Sequence, residues 1–269
     1  MTSGKASKRK RREAKVPPPP PVKGARGGRR ASPKVVIAAA AVIVVVAIGA
    51  GLAFALGGGG SSSPGSSTPT RGSVKNGLPG SAEVAGLFRG IPQHGTVLGS
   101  PSAPVSIVEY VDLQCPACQQ FETQALPQLL SRYVRPGKVK LEARPIAFIG
   151  PDSEVGRAAA LAAAAQNRMF NFMEILYSNQ GTENTGWLTS DMVKAAAGSI
   201  PGLDVPLLLS GSAGVKDQED AIDTQEKADG VNSTPTLLVG RNGGKLHEVS
   251  VSSLTDIQSL STAIDAALR

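Results

Sequence analysis

Cys115 and Cys118 are the only thiols in the 269-residue chain, and they stand three apart in DLQCPACQQF, residues 112–121. A pair at that spacing admits three kinds of chemistry: half of a metal site, an inert clip, or reversible disulfide exchange. Structural zinc needs four ligands, usually in two close pairs. The other candidate ligands here, His94 and His247, are single and distant, with no acidic or cysteine neighbour at ligand spacing. No metal is therefore expected, and each histidine reads as structural or exposed. A bridge across three residues closes so short a loop that its chain-entropy gain is small, which makes it a poor staple. Redox exchange is left as the reading that gives the pair a purpose.

The flanking sequence supplies the elements such chemistry needs. PVSIVEYVDL (residues 104–113) is rich in β-branched residues and reads as a buried strand, and PACQQFETQALPQLLSRYV (residues 116–134) reads as a helix. Pro116 suits the first helical turn, and Pro127 should bend the helix further along. Cys115 then sits at the helix N-terminus, where free N–H groups and the macrodipole favour a thiolate. Cys118, one turn on, lies beside it as the resolving thiol. Strand alternation groups Glu109 with Val111 and Leu113 on one face, so Glu109 points either into apolar surroundings, with a raised pKa, or to solvent.

Further along, KVKLEARPIAF (residues 138–148) alternates like a second strand, and residues 152–230 form a helical block without strand character. In that block the Ala-rich run RAAALAAAAQ reads as close helix packing, MFNFMEILY as core, and KDQEDAIDTQEKAD as a solvated face. TPTLLVG and KLHEVSV, joined by RNGG, read as a hairpin, and LTDIQSLSTAIDAAL (residues 254–268) as a closing amphipathic helix. The order is βαβ, helical block, ββα.

The first part of the chain is of a different kind. Residues 1–34 carry twelve Lys or Arg against one Glu, a net +11, whereas residues 35–269 carry sixteen basic and twenty acidic side chains, a net −4. The formal +7 belongs to the tail, which weakens the case for a nucleic-acid-binding fold. Residues 35–56 run 22 positions without a charge, enough to cross about 30 Å of hydrocarbon at 1.5 Å per residue. This reads as a transmembrane signal-anchor with its basic side cytoplasmic and the rest of the chain extracytoplasmic. Cleavage after Ala53–Ala55 is the alternative. Residues 57–82, rich in Gly, Ser and Pro, read as a flexible linker, and residues 83–269 as the folded domain.

VEYVDLQCPACQQF followed, beyond a helical block, by GVNSTPTLLVG resembles the DsbA-like branch of the thioredoxin superfamily, the membrane-tethered thiol:disulfide oxidoreductases of bacterial envelopes. The likeness runs from about Gly95 to Arg269. It implies an α/β thioredoxin-like fold with an inserted helical domain, preceded by the single membrane helix. It also implies a redox-active Cys115–Cys118 disulfide with Cys115 attacking, Cys118 buried, and Pro116 and Ala117 as the intervening pair. Pro235 falls where the superfamily has a cis-proline, though an ordinary trans proline opening a strand is the alternative. Ser233 and Thr234 would then present backbone to a bound peptide, and Glu109 would be the buried acid that exchanges a proton with Cys118.

The implied partners are exported cysteine-containing polypeptides and a quinone-linked membrane reoxidant, with no cofactor of the protein's own. Ala117 stands where the strongest oxidases of that branch often have His, so the direction of transfer stays open between oxidase, reductase and isomerase. A non-enzymatic, peptide-binding thioredoxin-like ectodomain is the reading from another class.

Overall fold

β3 (Val105–Val111) is the axis of the molecule, and all seven of its residues are buried. A strand covered on both faces needs no polar side, and four of the seven residues here, Val105, Ile107, Val108 and Val111, are β-branched. The computed structural model describes residues 70–269. β3 pairs in parallel with β4 (Val139–Pro145), from Val105 opposite Val139 to Val111 opposite Pro145. On its other side it pairs antiparallel with β5 (Thr236–Arg241), Tyr110 lying opposite Thr236. Two short strands, β1 (Gln93–His94) and β2 (Val97–Leu98), form a hairpin that extends the sheet beyond β4, and β6 (His247–Glu248) extends it beyond β5. The strand order is β1-β2-β4-β3-β5-β6.

The first hairpin was not expected from the sequence, because two residues per strand carry no period; its one local signal is Gly95, held at φ 60° in the turn. The second hairpin is present but shorter than expected, since β6 has two residues.

α1 (Ser81–Leu87) precedes the sheet, and α2 (Pro116–Gln124) follows β3 directly. α2 breaks at Ala125 and resumes as α3 (Leu126–Leu129), the proline ring at 127 disfavouring continuous helix at the residues before it. A wide turn over Leu130–Val134 then closes with an i to i+5 bond, Arg135 N to Leu130 O at 2.8 Å.

The helical block contains α4 (Pro151–Ala164), α5 (Met169–Ser178), α6 (Ser190–Gly198), α7 (Val205–Gly211) and α8 (Lys216–Asp229). α4 and α5 are separated at Asn167, whose φ of 56° stops the helix and whose Oδ1 accepts from Gly95 N at 2.9 Å. Thr189 and Asp204 cap the next two helices through Met192 N and Leu207 N. The alanines of α4 are mostly buried, which lets its neighbours approach closely, and every residue of α5 from Met169 to Tyr177 is buried. The charged face expected of α8 is solvated only in part: Glu219 turns inward to the buried Arg157, at 3.5 Å. α9 (Gln258–Leu268) packs back on β5 and β3.

One boundary needs correction. The linker expected over residues 57–82 ends earlier, because residues 70–80 form a strap fastened to the helical block. Gly72 N donates to Leu203 O and Ser73 N to Gly198 O, each at 2.9 Å, and Leu78 N donates to Ser199 Oγ at 2.8 Å. Glycine at 72 is there for close approach, since a Cβ would overlap the Ile200 and Ala197 carbonyl oxygens. The tail, the apolar span at 35–56 and the linker as far as residue 69 lie outside the described residues. Among the described residues no helix is long and apolar enough to cross a membrane.

Gly72→Ala should therefore destabilise the domain by roughly 1–3 kcal/mol. Gly86→Ala, in α1 with nothing near its Cβ position, should stabilise it by up to about 1 kcal/mol. Urea unfolding midpoints moving in the same direction for both would contradict a docked strap.

Candidate active site

The site begins with how β3 ends. Asp112, fully buried, receives four hydrogen bonds: Gln114 N and Ser153 Oγ on Oδ1, both at 2.8 Å, and Phe148 N at 2.7 Å and Ile149 N at 2.8 Å on Oδ2. One carboxylate thereby joins the end of β3, the loop after β4 and the first turn of α4. Cys115 N donates to Asp112 O at 3.0 Å and closes the turn that delivers the first cysteine to the head of α2. α5 secures the same turn from behind. Tyr177 Oη donates to Asp112 O at 3.2 Å, and Gln180 Nε2 donates to Leu113 O at 3.0 Å and Cys115 O at 3.3 Å.

Cys115 is the N-cap of α2, in extended backbone conformation, and its Sγ accepts from Cys118 N at 3.4 Å. Pro116 occupies the first helical turn, where its missing N–H costs nothing. On the other side Cys115 Sγ–H donates to Thr234 O at 3.4 Å, and the Thr234–Pro235 peptide is cis. The two cysteines are adjacent free thiols.

Their environments differ in kind. The Cys118 thiol hydrogen-bonded to Cys115 is the largest influence lowering the Cys115 pKa, to about 6; Thr234 and the N–H groups of Cys118 and Ala117 add to it and outweigh burial. Cys118 has no exposed surface, and burial first, then its bond to Cys115, pushes its thiol well above the ordinary range.

The segment carrying Ser233, Thr234 and Pro235 is held from the helical block. At the end of α8, Asp229 accepts from Tyr110 Oη at 2.7 Å, and Arg144 Nη1 donates to that same hydroxyl at 2.7 Å, which ties the approach to Pro235 onto β3 and β4. Ala117, Gln120, Ser233, Thr234, Pro235 and Thr236 form one wall of an open cleft of about 650 Å³, and residues 248–255 form the other.

Glu109 points inward, one of the two orientations the alternation allowed. Its surroundings are not simply apolar, because the carboxyls of Glu122 from α2 and Glu174 from α5 lie beside it. No hydrogen-bond donor among the described residues reaches either Glu109 oxygen. Burial raises Glu109 and Glu174 to about 7 each, and burial with repulsion from the other two holds Glu122 well above the carboxylate range.

The structure thus places Ala117, Ser233, Thr234 and Pro235 on one cleft, with Cys115 hydrogen-bonded to Thr234 beside it, Pro116 next to Cys115 at the head of α2, and Cys118 and Glu109 in the interior. Sequence reasoning did not single out Asp112, Gln180, Glu122 or Glu174; an acid three residues before Cys115 was the one local sign of the first. His94 and His247 are exposed strand residues outside the cleft. Among the described residues no cluster of His, Cys, Asp and Glu is arranged to hold a metal.

Comparison with known proteins places these features in context. A family model described as thioredoxin matches residues 93–266. The chain is 36% identical over 111 residues to a probable disulfide bond formation protein D of Bacillus cereus, covering 40% of this chain and 51% of that protein. Disulfide bond formation protein D of Bacillus subtilis is 28% identical over 151 residues, covering 53% of this chain and 66% of that protein. The chain therefore spans between half and two thirds of the length of these curated relatives. Among solved structures, oxidised BdbD from Bacillus subtilis has the same fold, with a TM-score of 0.57 at 22% identity over 66% of this chain and 97% of that one.

Two outcomes follow from these pKa shifts. In the reduced protein, thiolate ultraviolet absorbance should appear with a midpoint near 6; Cys118→Ala should move it up toward the ordinary thiol value, and Cys118→Ser, which keeps an O–H donor, should move it less. The raised carboxyls bind protons more tightly in the folded state, so their stabilisation is present below about pH 4.5 and is lost as pH rises through about 7. Glu174→Gln should then leave stability at pH 5 nearly unchanged and raise it at pH 8 by on the order of 1 kcal/mol or more in denaturant titrations.

Proposed function

We propose, from the premise that this chain belongs to the thioredoxin family, that it is a thiol:disulfide oxidoreductase that donates disulfides to exported cysteine-containing polypeptides. The observation that carries this reading is the unequal pair: Cys115 lowered to about 6 at the head of α2 and Cys118 sealed behind it with a raised pKa. A binding module has no use for such a difference, whereas disulfide exchange depends on it.

The working form carries the Cys115–Cys118 disulfide. A substrate thiolate attacks Cys115 Sγ, forming a mixed disulfide and expelling Cys118 as a thiolate. Cys118 is costly to leave charged in its buried position and takes up a proton, for which Glu109 is the interior donor. A second substrate thiolate then attacks the substrate sulfur of the mixed disulfide. Cys115 departs as a thiolate, a good leaving group because its pKa is low. The substrate loses two electrons and gains a disulfide, and the enzyme is left reduced. Throughout, the backbone of Ser233 and Thr234 beside Pro235 offers the mixed disulfide an extended partner, and Pro116 and Ala117 leave the approach to Cys115 unobstructed.

Reoxidation falls to a quinone-linked membrane protein, by the resemblance of the motif pair. The site lies outside the cytoplasm in this reading, carried by a membrane span at residues 35–56 with the basic tail inside. Support for that placement is the 22-residue uncharged run behind a net +11 tail. A low Cys115 pKa stabilises the reduced enzyme above pH 6 and so favours disulfide donation, while Ala117 in the intervening pair supplies no further positive charge.

Cys118→Ser in intact cells should accumulate mixed disulfides between Cys115 and envelope proteins, and Cys115→Ser should accumulate none. Full function with Cys115→Ser would return the reading to a binding module. The equilibrium of the pair with glutathione should place it among oxidising couples; a potential near −270 mV or below, the range of a thioredoxin-type reductant, would reverse the direction of transfer.

A further inference from the structure

The segment that faces Cys115, residues 230–235, is not anchored in the core. None of these residues is buried, and among the described residues no backbone N–H from Asn232 to Thr234 has a partner. Two of its carbonyls are engaged: Ser233 O accepts from Thr236 Oγ1 at 2.8 Å, and Thr234 O accepts from Cys115 Sγ at 3.4 Å. The position of a segment with so little burial is set by what holds its two ends.

Tyr110 holds both. Its backbone lies opposite Thr236, directly after the segment, in the antiparallel pairing of β3 with β5. Its hydroxyl donates at 2.7 Å to Oδ2 of Asp229, the last residue of α8 and the one directly before the segment. The buried residues of α8 are Glu219 and Ile222, both in its first half, so the bond to Asp229 is what fastens the later turns of that helix to the sheet. β3 is already paired on both sides at Tyr110. The hydroxyl is therefore not needed to place the strand; it places Asp229, and through it the segment.

The hydroxyl is itself fixed from β4. Arg144, opposite Tyr110 in the parallel pairing, donates from Nη1 to Tyr110 Oη at 2.7 Å and reaches the same Asp229 oxygen at 3.4 Å. Its Nε is held by Glu142 Oε1 at 2.8 Å, and its guanidinium carbon lies 5.4 Å from the centre of the Tyr110 ring. Tyr110 has no exposed surface, and burial first, then its bond to Asp229, pushes its pKa up to about 12. The hydroxyl thus stays a donor throughout the neutral range.

We propose that Tyr110, oriented by Arg144, is a positioning residue for disulfide exchange: by bonding Asp229 it sets where Ser233 and Thr234 present their backbone beside Cys115, and so favours thiols carried on extended polypeptide over small thiols. This rests on the redox assignment of the cysteine pair and adds to it the residue that enforces the class of substrate. The open N–H groups of the segment are the ones an extended chain would pair with, and a small thiol gains nothing from them.

Oxidation of two dithiols by the full chain in neutral detergent, starting from the Cys115–Cys118 disulfide, tests the clamp. One is an extended peptide with two cysteines; the other is dithiothreitol, which has no backbone to pair. Each reaction converts a dithiol to a disulfide and leaves Cys115 and Cys118 reduced. Tyr110→Phe keeps the buried ring and removes the hydroxyl. It should slow the peptide reaction about tenfold, the worth of one hydrogen bond to a charged group, through the half-saturating concentration more than the limiting rate, and should slow dithiothreitol much less. Asp229→Ala, at an exposed position, should reproduce that loss of selectivity, and Asp229→Asn, which retains an acceptor, should keep most of the peptide rate. The double variant Tyr110→Phe/Asp229→Ala should lose no more than either alone. Equal slowing of both dithiols, the mark of a merely structural role, or an unaltered peptide rate in both Tyr110→Phe and Asp229→Ala, overturns the proposal and leaves the redox assignment standing. A wild-type chain that oxidises neither dithiol overturns the redox assignment and the proposal with it.

Discussion

The buried carboxylate of Asp112 is the constraint on which the site depends. Its four hydrogen bonds come from three separate parts of the chain, the turn after β3, the loop after β4 and the first turn of α4. Hydrogen bonds to a charged group each contribute about 1.5–3 kcal/mol when desolvation is compensated. With that hub in place, the strand end cannot shift relative to the helical block, and Cys115 is presented at one height above the sheet. The second layer of support comes from Tyr177, in a helix buried from Met169 to that residue, and from Gln180 just beyond its end.

Glu109, Glu122 and Glu174 are the counter-example within the same interior. They have the same functional group and similar burial, but among the described residues both Glu109 oxygens, one of Glu122 and one of Glu174 have no donor. Their environment stabilises the protonated form, whereas that of Asp112 supplies donors to both oxygens. The difference separates an acid that builds a turn from acids that can hold and release a proton near neutrality. Local rules of polar satisfaction are obeyed at the scaffold and broken behind the reactive pair, which is where function tends to override stability.

The central features were legible because each has a short-range signature. β3 showed as a β-branched run, α2 as a proline-started helix, the kink as Pro127, and the redox pair as two thiols at i, i+3. Alternation left Glu109 facing either the interior or solvent, and likeness to a known motif suggested both its burial and the segment at Pro235. What escaped shares a different character. Gln180 lies 65 residues from the carbonyl of Cys115 that it holds, and Asp229 lies 119 residues from Tyr110; no local pattern encodes such meetings. β1 and β2 are too short to have a period. Residues 70–80 were misread for the opposite reason: their Gly, Ser and Pro content has the composition of a tether, but here small residues serve close backbone contact with the Ile200–Leu203 turn.

That strap also decides how the molecule carries load. Tension entering along the chain from residue 69 first meets Thr70 O, which accepts from Val205 N at 3.2 Å, and then the hydrogen bonds of Gly72 and Ser73 to Leu203 and Gly198. These attach to the helical block and not to β3 or α2. A pull on the N-terminal side is thus taken up first by the helical block, ahead of the sheet, the turn at Asp112 and the two sulfurs. The fold separates its mechanical anchorage from its chemistry.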